Sequence, residues 1–346
     1  MLILTCFAFL LPLASTNLVP LSTFSSTETL YRVGKTSRVY VISNSPQDVI
    51  QALTLSTGTG GQNSNGFTLS APQTDGSLTP LQSTADNDLL SVIFSGNIPL
   101  TGWLYICNVT SELNVFPLKD DSTVSYKPGT NVFFRMGTGN AKIPVAENVV
   151  ISNNVDLSGF VGLPDETNPV QFFGSSSIAG VTTYSQLELP MAIFHFTSSG
   201  SNVKYEIKYA VRAGMEIGSS GLVMTDDFPT GTFATKEFSL VNPSEANIEL
   251  FLVPRLDKSQ AYGGNVTVFA GSVEPTVFPL LSIADSNITS NSPMNRIVIE
   301  SDGPFSVQYT LKDLSITTAA PVVTTTKSSR IAQIVVSLLI AAVLRI

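Results

Sequence analysis

Acid–base and nucleophilic chemistry need a histidine, a cysteine or a carboxylate pair held against a partner, and this chain offers few of each. Its 346 residues include one His and two Cys. His195 stands in the alternating run MAIFHF, beside Phe194, Ala192 and Met191, with no second His to share a metal and no Cys nearby. It is the only imidazole available to activate a serine. The run reads as a strand, so His195 is either a solvent-facing strand residue or a satisfied core one. Paired carboxylates such as Asp226 and Asp227 could in principle serve glycoside hydrolysis. Adjacent acids in a turn are usually solvated, and no other acid can be placed against them. The glycines of GTGG at 58–61 precede no Lys-Ser/Thr and no helix, so they form a loop and not a phosphate cradle. No catalytic residue and no cofactor are expected.

The remaining reactive group is a thiol. Cys6 belongs to the apolar N-terminus, which leaves Cys107 alone, at the end of the strand-like run WLYIC and beside a sequon. A lone cysteine in a secreted chain is either buried and inert or pairs with a second chain, so a disulfide-linked dimer through Cys107 is an open alternative to burial. With no internal disulfide possible, the fold must hold by burying apolar surface, and 43% hydrophobic residues give it the means. Charged residues are only 13% and the net charge is −8. That balance excludes nucleic acid, which needs clustered Lys and Arg.

The ends place the protein. MLILTCFAFLLPLAS is a short apolar run closing on small residues, and residues 1–16 read as a secretory signal. At the other end the apolar stretch from Ile331 to Leu344 would make a helix roughly 21 Å long, short of a hydrocarbon core of about 30 Å. Thr318, Ala319 and Ala320 precede a polar spacer and then this tail. Small site, spacer and tail in that order form a glycosylphosphatidylinositol attachment signal, with Ala319 and Ala320 the anchor candidates and 331–346 removed. A short true span and a disordered end are the alternatives. An extracellular chain makes the sequons at Asn108, Asn265 and Asn287 candidate glycosylation sites.

Between the ends the sequence repeats. NSPQDVIQALTL at 44–55 pairs with NPSEANIELFLV at 242–253, and NGFTLSA at Asn65 with NVTVFAGS at Asn265. LLSVIFSGNIPLTGWLYI at 89–106 pairs with NRIVIESDGPFSVQYTL at 295–311. A middle copy offers NPVQFFGSS at Asn168 and MAIFHFTSSGSNVKYEIKYA at 191–210, while KIPVAENVVISNN fits only loosely. Gly96, Gly200 and Gly303 recur about one hundred residues apart in the turn between the last two runs. Within the runs apolar residues alternate, Phe305, Val307 and Tyr309 in one copy and Tyr205, Ile207 and Tyr209 in another, as in strands with one buried face. Turns rich in Gly, Asn and Pro separate them. The expectation is an all-β chain of three tandem jelly-roll sandwiches at 17–110, 111–212 and 213–314, then an extended Thr/Pro-rich stalk at 315–330.

The third copy resembles a CUB domain. GLVMTDDFPTGTFATKEFSLVNPSEANIELFLVPRLD is similar to the CUB opening, NVTVFAGS to its central strand and IESDGPFSVQYTL to its closing Ser-Asp loop and aromatic strand. The resemblance covers 215–314 well, the first copy less and the second least. It points to the cysteine-poor CUB-like family of nematode type, whose members are secreted or surface-anchored and implicated in defence or surface interaction. The family's usual disulfides have no cysteines here. Its calcium ligands are matched by Asp302, with Asp257 nearby, but Asn265 stands where a carboxylate is expected, and Asn97 and Ser199 lie near the Asp302 position in the other copies. Hard cations want several carboxylates, so no calcium is expected. The resemblance implies a non-enzymatic surface protein that binds an extracellular protein or glycan. A structural surface coat and a secreted hydrolase are the alternatives.

Overall fold

A computed structural model describes residues 16–58, 63–83, 85–86, 88–108, 112–137, 142–226, 228–230, 234–239, 248–255, 264–270, 274–279, 286–289 and 294–313. The chain is built of strands. The first unit contains β1 (Thr16–Pro20), β2 (Thr29–Val33), β3 (Ser37–Ile42), β4 (Leu53–Thr57), β5 (Asn63–Asn65), β6 (Leu81–Gln82), β7 (Asp88–Phe94) and β8 (Trp103–Asn108), with short helices α1 (Gln47–Ile50) and α2 (Gly66–Ser70). The second contains β9 (Leu113–Leu118), β10 (Thr123–Ser125), β11 (Thr130–Arg135), β12 (Ile143–Ile151), β13 (Leu157–Val161), β14 (Gln171–Gly174), β15 (Thr183–Glu188), β16 (Ile193–Ser198) and β17 (Val203–Ala210). The third contains β18 (Ser220–Met224), β19 (Ala234–Ser239), β20 (Ile248–Arg255), β21 (Gly264–Ala270), β22 (Thr276–Pro279), β23 (Ser286–Thr289), β24 (Met294–Ser301) and β25 (Ser306–Asp313).

One strand order recurs in all three. In the first unit the facing sheets run β1-β8-β3-β6 and β2-β7-β4-β5. The second repeats this as β10-β17-β12-β15 and β11-β16-β13-β14, with β9 added in parallel to β11, and the third as β18-β25-β20-β23 and β19-β24-β21-β22. This order is that of a double-sheet jelly roll, so the protein is three jelly-roll sandwiches in tandem. Gly96, Gly200 and Gly303 each lie in the turn joining the seventh strand of a unit to its eighth.

The strand order corrects two of the sequence pairings. Leu53 and Leu55 belong to the fourth strand of their unit, whereas Phe251 and Val253 belong to the third. NGFTLSA forms helix α2 and NVTVFA forms strand β21, while NPVQFFGSS supplies β14, a fifth strand. Five residues cannot separate a helical from a strand period, and here the caps decide. The Asn65 side chain accepts the backbone N–H of Thr68 at 2.9 Å, and Gly66 lets the helix start close against the Ile50 carbonyl, which a Cβ would meet at 2.7 Å. The loosely fitting KIPVAENVVISNN forms β12, the true counterpart of β3 and β20.

The sandwiches are fused rather than strung on linkers. The outer face of the β1-β8-β3-β6 sheet packs on the outer face of the second unit's five-stranded sheet. Tyr40, Ile42, Tyr105 and Cys107 there meet Val115, Val132 and Phe134. Tyr105 lies 5.9 Å from both Tyr40 and Phe134, ring centre to ring centre. Burying each such side chain contributes roughly 1.5–3 kcal/mol. Asp75 and Lys127 add an ion pair of 2.6 Å across this seam, and the Leu78 N–H donates to the Val115 carbonyl at 2.8 Å.

The second and third units share a sheet. Strand β15 pairs in parallel with β18 through Gln186–Gly221 and Leu187–Leu222, which extends the sheet to eight strands. The two faces of β18 then serve different cores. Leu222 and Met224 belong to the core of the second unit, while Val223 belongs to that of the third with Val307, Tyr309 and Leu311 of β25. The alternate residues of β25 reach into the second unit. Ser306 donates to the Phe172 carbonyl at 3.1 Å, and Gln308 Nε2 donates to the Gly174 carbonyl and the Tyr184 hydroxyl, both at 3.1 Å.

Candidate functional site

Where β15 meets β18, charged side chains converge beside a groove. Glu188, the last residue of β15, is 1% exposed, because β18 and the chain leaving β17 cover it. Arg212, just after β17, places Nε 3.2 Å from Glu188 Oε2, and the Met224 N–H donates to the same oxygen at 3.2 Å. Arg212 Nη2 also holds Asp226 Oδ1, which Lys236 of β19 reaches at 3.1 Å. Lys236 lies 4.0 Å from Glu188. Burial pushes the Glu188 carboxyl up, with Arg212 and Lys236 opposing it. At Asp226 burial also pushes upward, but hydrogen bonds from Arg212 and Lys236 prevail and hold it below the usual carboxylate range.

Asp226 also stands on the rim of an open groove of about 420 Å³. Val161, Met191, Ile193 and Phe228 give it apolar walls, and Glu166 supplies a second carboxylate. The groove draws on both units, so it exists only because they are fused. It is shaped to take an apolar group with polar contacts at the rim. Glu188 is sealed behind Arg212 and cannot touch a substrate, and Asp226 is neutralised by two cations.

The residues singled out in the sequence lie apart from one another. His195 is buried on β16, where its Nδ1 lies 2.9 Å from the Gly162 carbonyl and its ring stacks on Phe160 with centres 5.2 Å apart. The carbonyl only accepts, so Nδ1 carries the proton. Burial lowers its pKa, with the Gly162 hydrogen bond opposing. Cys107 is fully enclosed between β1 and β3, its Sγ 3.6 Å from the Arg38 carbonyl, and burial pushes the thiol up to about 11. Asp302 is exposed, as is Asn97, and Ser199 caps the Asp156 N–H at 2.8 Å.

Asp257 and Asp227 lie outside the described residues, as do Ala319, Ala320 and both chain ends. Among the described residues no three His, Cys, Asp or Glu side chains gather in a way that could hold a metal ion, and no helix is long and apolar enough to cross a membrane. Of the sequon asparagines, Asn108 ends β8 exposed and accepts the Ser37 hydroxyl, Asn265 lies half-buried in β21, and Asn287 lies in β23. Sequence reading missed Glu188, Arg212 and Lys236. Nothing in QLELP marks an acid for burial, since its burial comes from a strand of another unit.

No family model matches the chain, and no curated protein matches it. Among solved structures, the CUB1-EGF-CUB2 domains of rat MASP-1 are similar over 57% of this chain and 99% of that one, at 10% identity and a TM-score of 0.18. A likeness that remote assigns neither fold nor function. The jelly-roll fold rests on the strand order alone.

Proposed function

We propose that this is a non-catalytic, extracellular, surface-anchored binding protein of CUB-like type, holding three fused jelly rolls clear of the membrane on a Thr/Pro-rich stalk. Its partner is an extracellular protein or glycan, met by exposed loops and by the groove between the second and third sandwiches. The observation that supports a binding role over a catalytic one is how the charges at that groove are used. Each of Glu188, Arg212, Asp226 and Lys236 is engaged by another member of the set, so the charges at the rim are spent on one another and the trough they border is largely apolar. The surface location rests on the order of small site, polar spacer and short apolar tail at 317–346.

The test is to display the full chain on animal cells and treat the intact cells with phosphatidylinositol-specific phospholipase C. Release into the medium, without residues 331–346, is the expected result. Retention with that tail still attached would replace the lipid anchor by a true span.

A further inference from the structure

The eight-stranded sheet ends, among the described residues, in β10 on one side and β23 on the other. These edges are not arbitrary. By position in the repeated strand order β10 is a first strand and β23 a sixth. The seam between the second and third units is made by the same two kinds of edge, the sixth strand β15 lying in parallel against the first strand β18. The outer edges of one molecule therefore have the character of the two edges that already pair inside it. An open edge of this kind is a template for another chain. A contact between two different edges is heterologous, and it propagates unless it closes on itself.

The residue that distinguishes β23 from β15 is Asn287, second of its four strand residues and first of the sequon NIT. The other two sequons do not stand on an edge. Asn265 pairs with Glu300 on one side and Pro279 on the other, inside its sheet. Asn108 ends β8, which lies between β1 and β3.

We propose that Asn287 carries a glycan that guards the β23 edge, and that a bare β23 takes up strand β10 of a second copy of this chain. The proposal rests on the reading that the chain enters the secretory pathway. A branched sugar on a four-residue edge strand fills the space a docking strand would need, in the way that charge, proline or a covering loop protects other edges. It leaves the β23–β20 pairing in place, because that pairing is made by main-chain groups and the sugar is attached to a side chain.

The test is made on the full chain expressed in animal cells. Glycopeptide mass spectrometry is expected to find Asn287 occupied, and light scattering to find the wild type monomeric. Asn287→Gln, and separately Thr289→Ala, which keeps the asparagine and removes only the sequon, are both expected to associate, with apparent mass rising with concentration. Adding Thr123→Lys and Ser125→Lys on β10 to Asn287→Gln is expected to restore the monomer. An aggregate of misfolded chains would not respond to changes in so distant a strand. Persisting association in that variant overturns β10 as the partner, and monomeric Asn287→Gln and Thr289→Ala proteins overturn the guard. Asn287 bare while Asn108 or Asn265 is occupied also overturns it. All three sequons bare would overturn the secretory reading itself.

Discussion

Two residues with reactive side chains are used here for packing, and their burial shows it. Cys107 sits at the seam between the first two sandwiches, where burial pushes its thiol up to about 11. At pH 7.4 the thiolate, which is the nucleophile, is a trace species behind a closed wall. Native protein is expected to run as a monomer on a non-reducing gel, with Cys107 resisting iodoacetamide until the protein is unfolded. Fast labelling of the native protein would show that the seam opens. His195 gives a pH signature. Burial holds its folded pKa below the unfolded value near 6.5, so its contribution is complete above that pH and is lost as pH falls through the folded pKa. His195→Asn keeps a donor for Gly162 and removes the titration. Denaturant titrations at pH 7 and pH 5 should show the wild type losing more stability than the variant, by at most about 1.4 kcal/mol per pH unit. Equal losses would mean the imidazole titrates as it does in water.

At the scale of strands and helices, much was legible because alternation survives wherever one face meets a core. Phe305, Val307 and Tyr309 read as a buried face and are one. The polar face of the same strand misleads. Ser306, Gln308 and Thr310 look solvated in sequence, yet they are at most 4% exposed, because the second sandwich uses β25 as its own wall. Period-two patterns report that a face is polar, not that water covers it. The junction groove was illegible for the same reason, since Glu188 is buried by a strand more than thirty residues away in sequence. Gln308 tests this directly. Its amide donates to Gly174 O and Tyr184 Oη and accepts from the Gly174 N–H at 3.4 Å, so Gln308→Leu removes three buried hydrogen bonds and leaves the Tyr184 hydroxyl only its bond to the Ser175 carbonyl. The expected loss is about 3 kcal/mol, against under about 0.5 kcal/mol for the exposed control Lys204→Ala. Chemical denaturation of both variants reads it. A cost for Gln308→Leu no greater than the control's would mean that water already reaches the seam.

The whole molecule follows from what its shared walls do to cooperativity. Three sandwiches joined by linkers would melt one by one, each with its own core. Here the core of the second unit is completed by Leu222, Met224 and Phe228, all carried by the third, and its outer sheet is covered by Tyr40, Ile42 and Tyr105 of the first. Unfolding the third unit would strip apolar cover from the second at roughly 25 cal/mol per Å² and open the β15 edge. Neither loss is available to a chain that stays otherwise folded. Scanning calorimetry of the protein should therefore show one transition, with the calorimetric enthalpy close to the van't Hoff value. Because no three His, Cys, Asp or Glu side chains gather among the described residues, the midpoint should not move when calcium is added or chelated. A rise of several degrees with calcium would reveal a site built by residues other than these. Two or three resolved transitions would show that the shared strands do not couple the units. The proposed binding groove could then open without unfolding the rest of the protein. With a single transition the groove between them is as stable as the protein itself, and a substitution that loosens β18 should lower the one melting midpoint and not release the third sandwich alone.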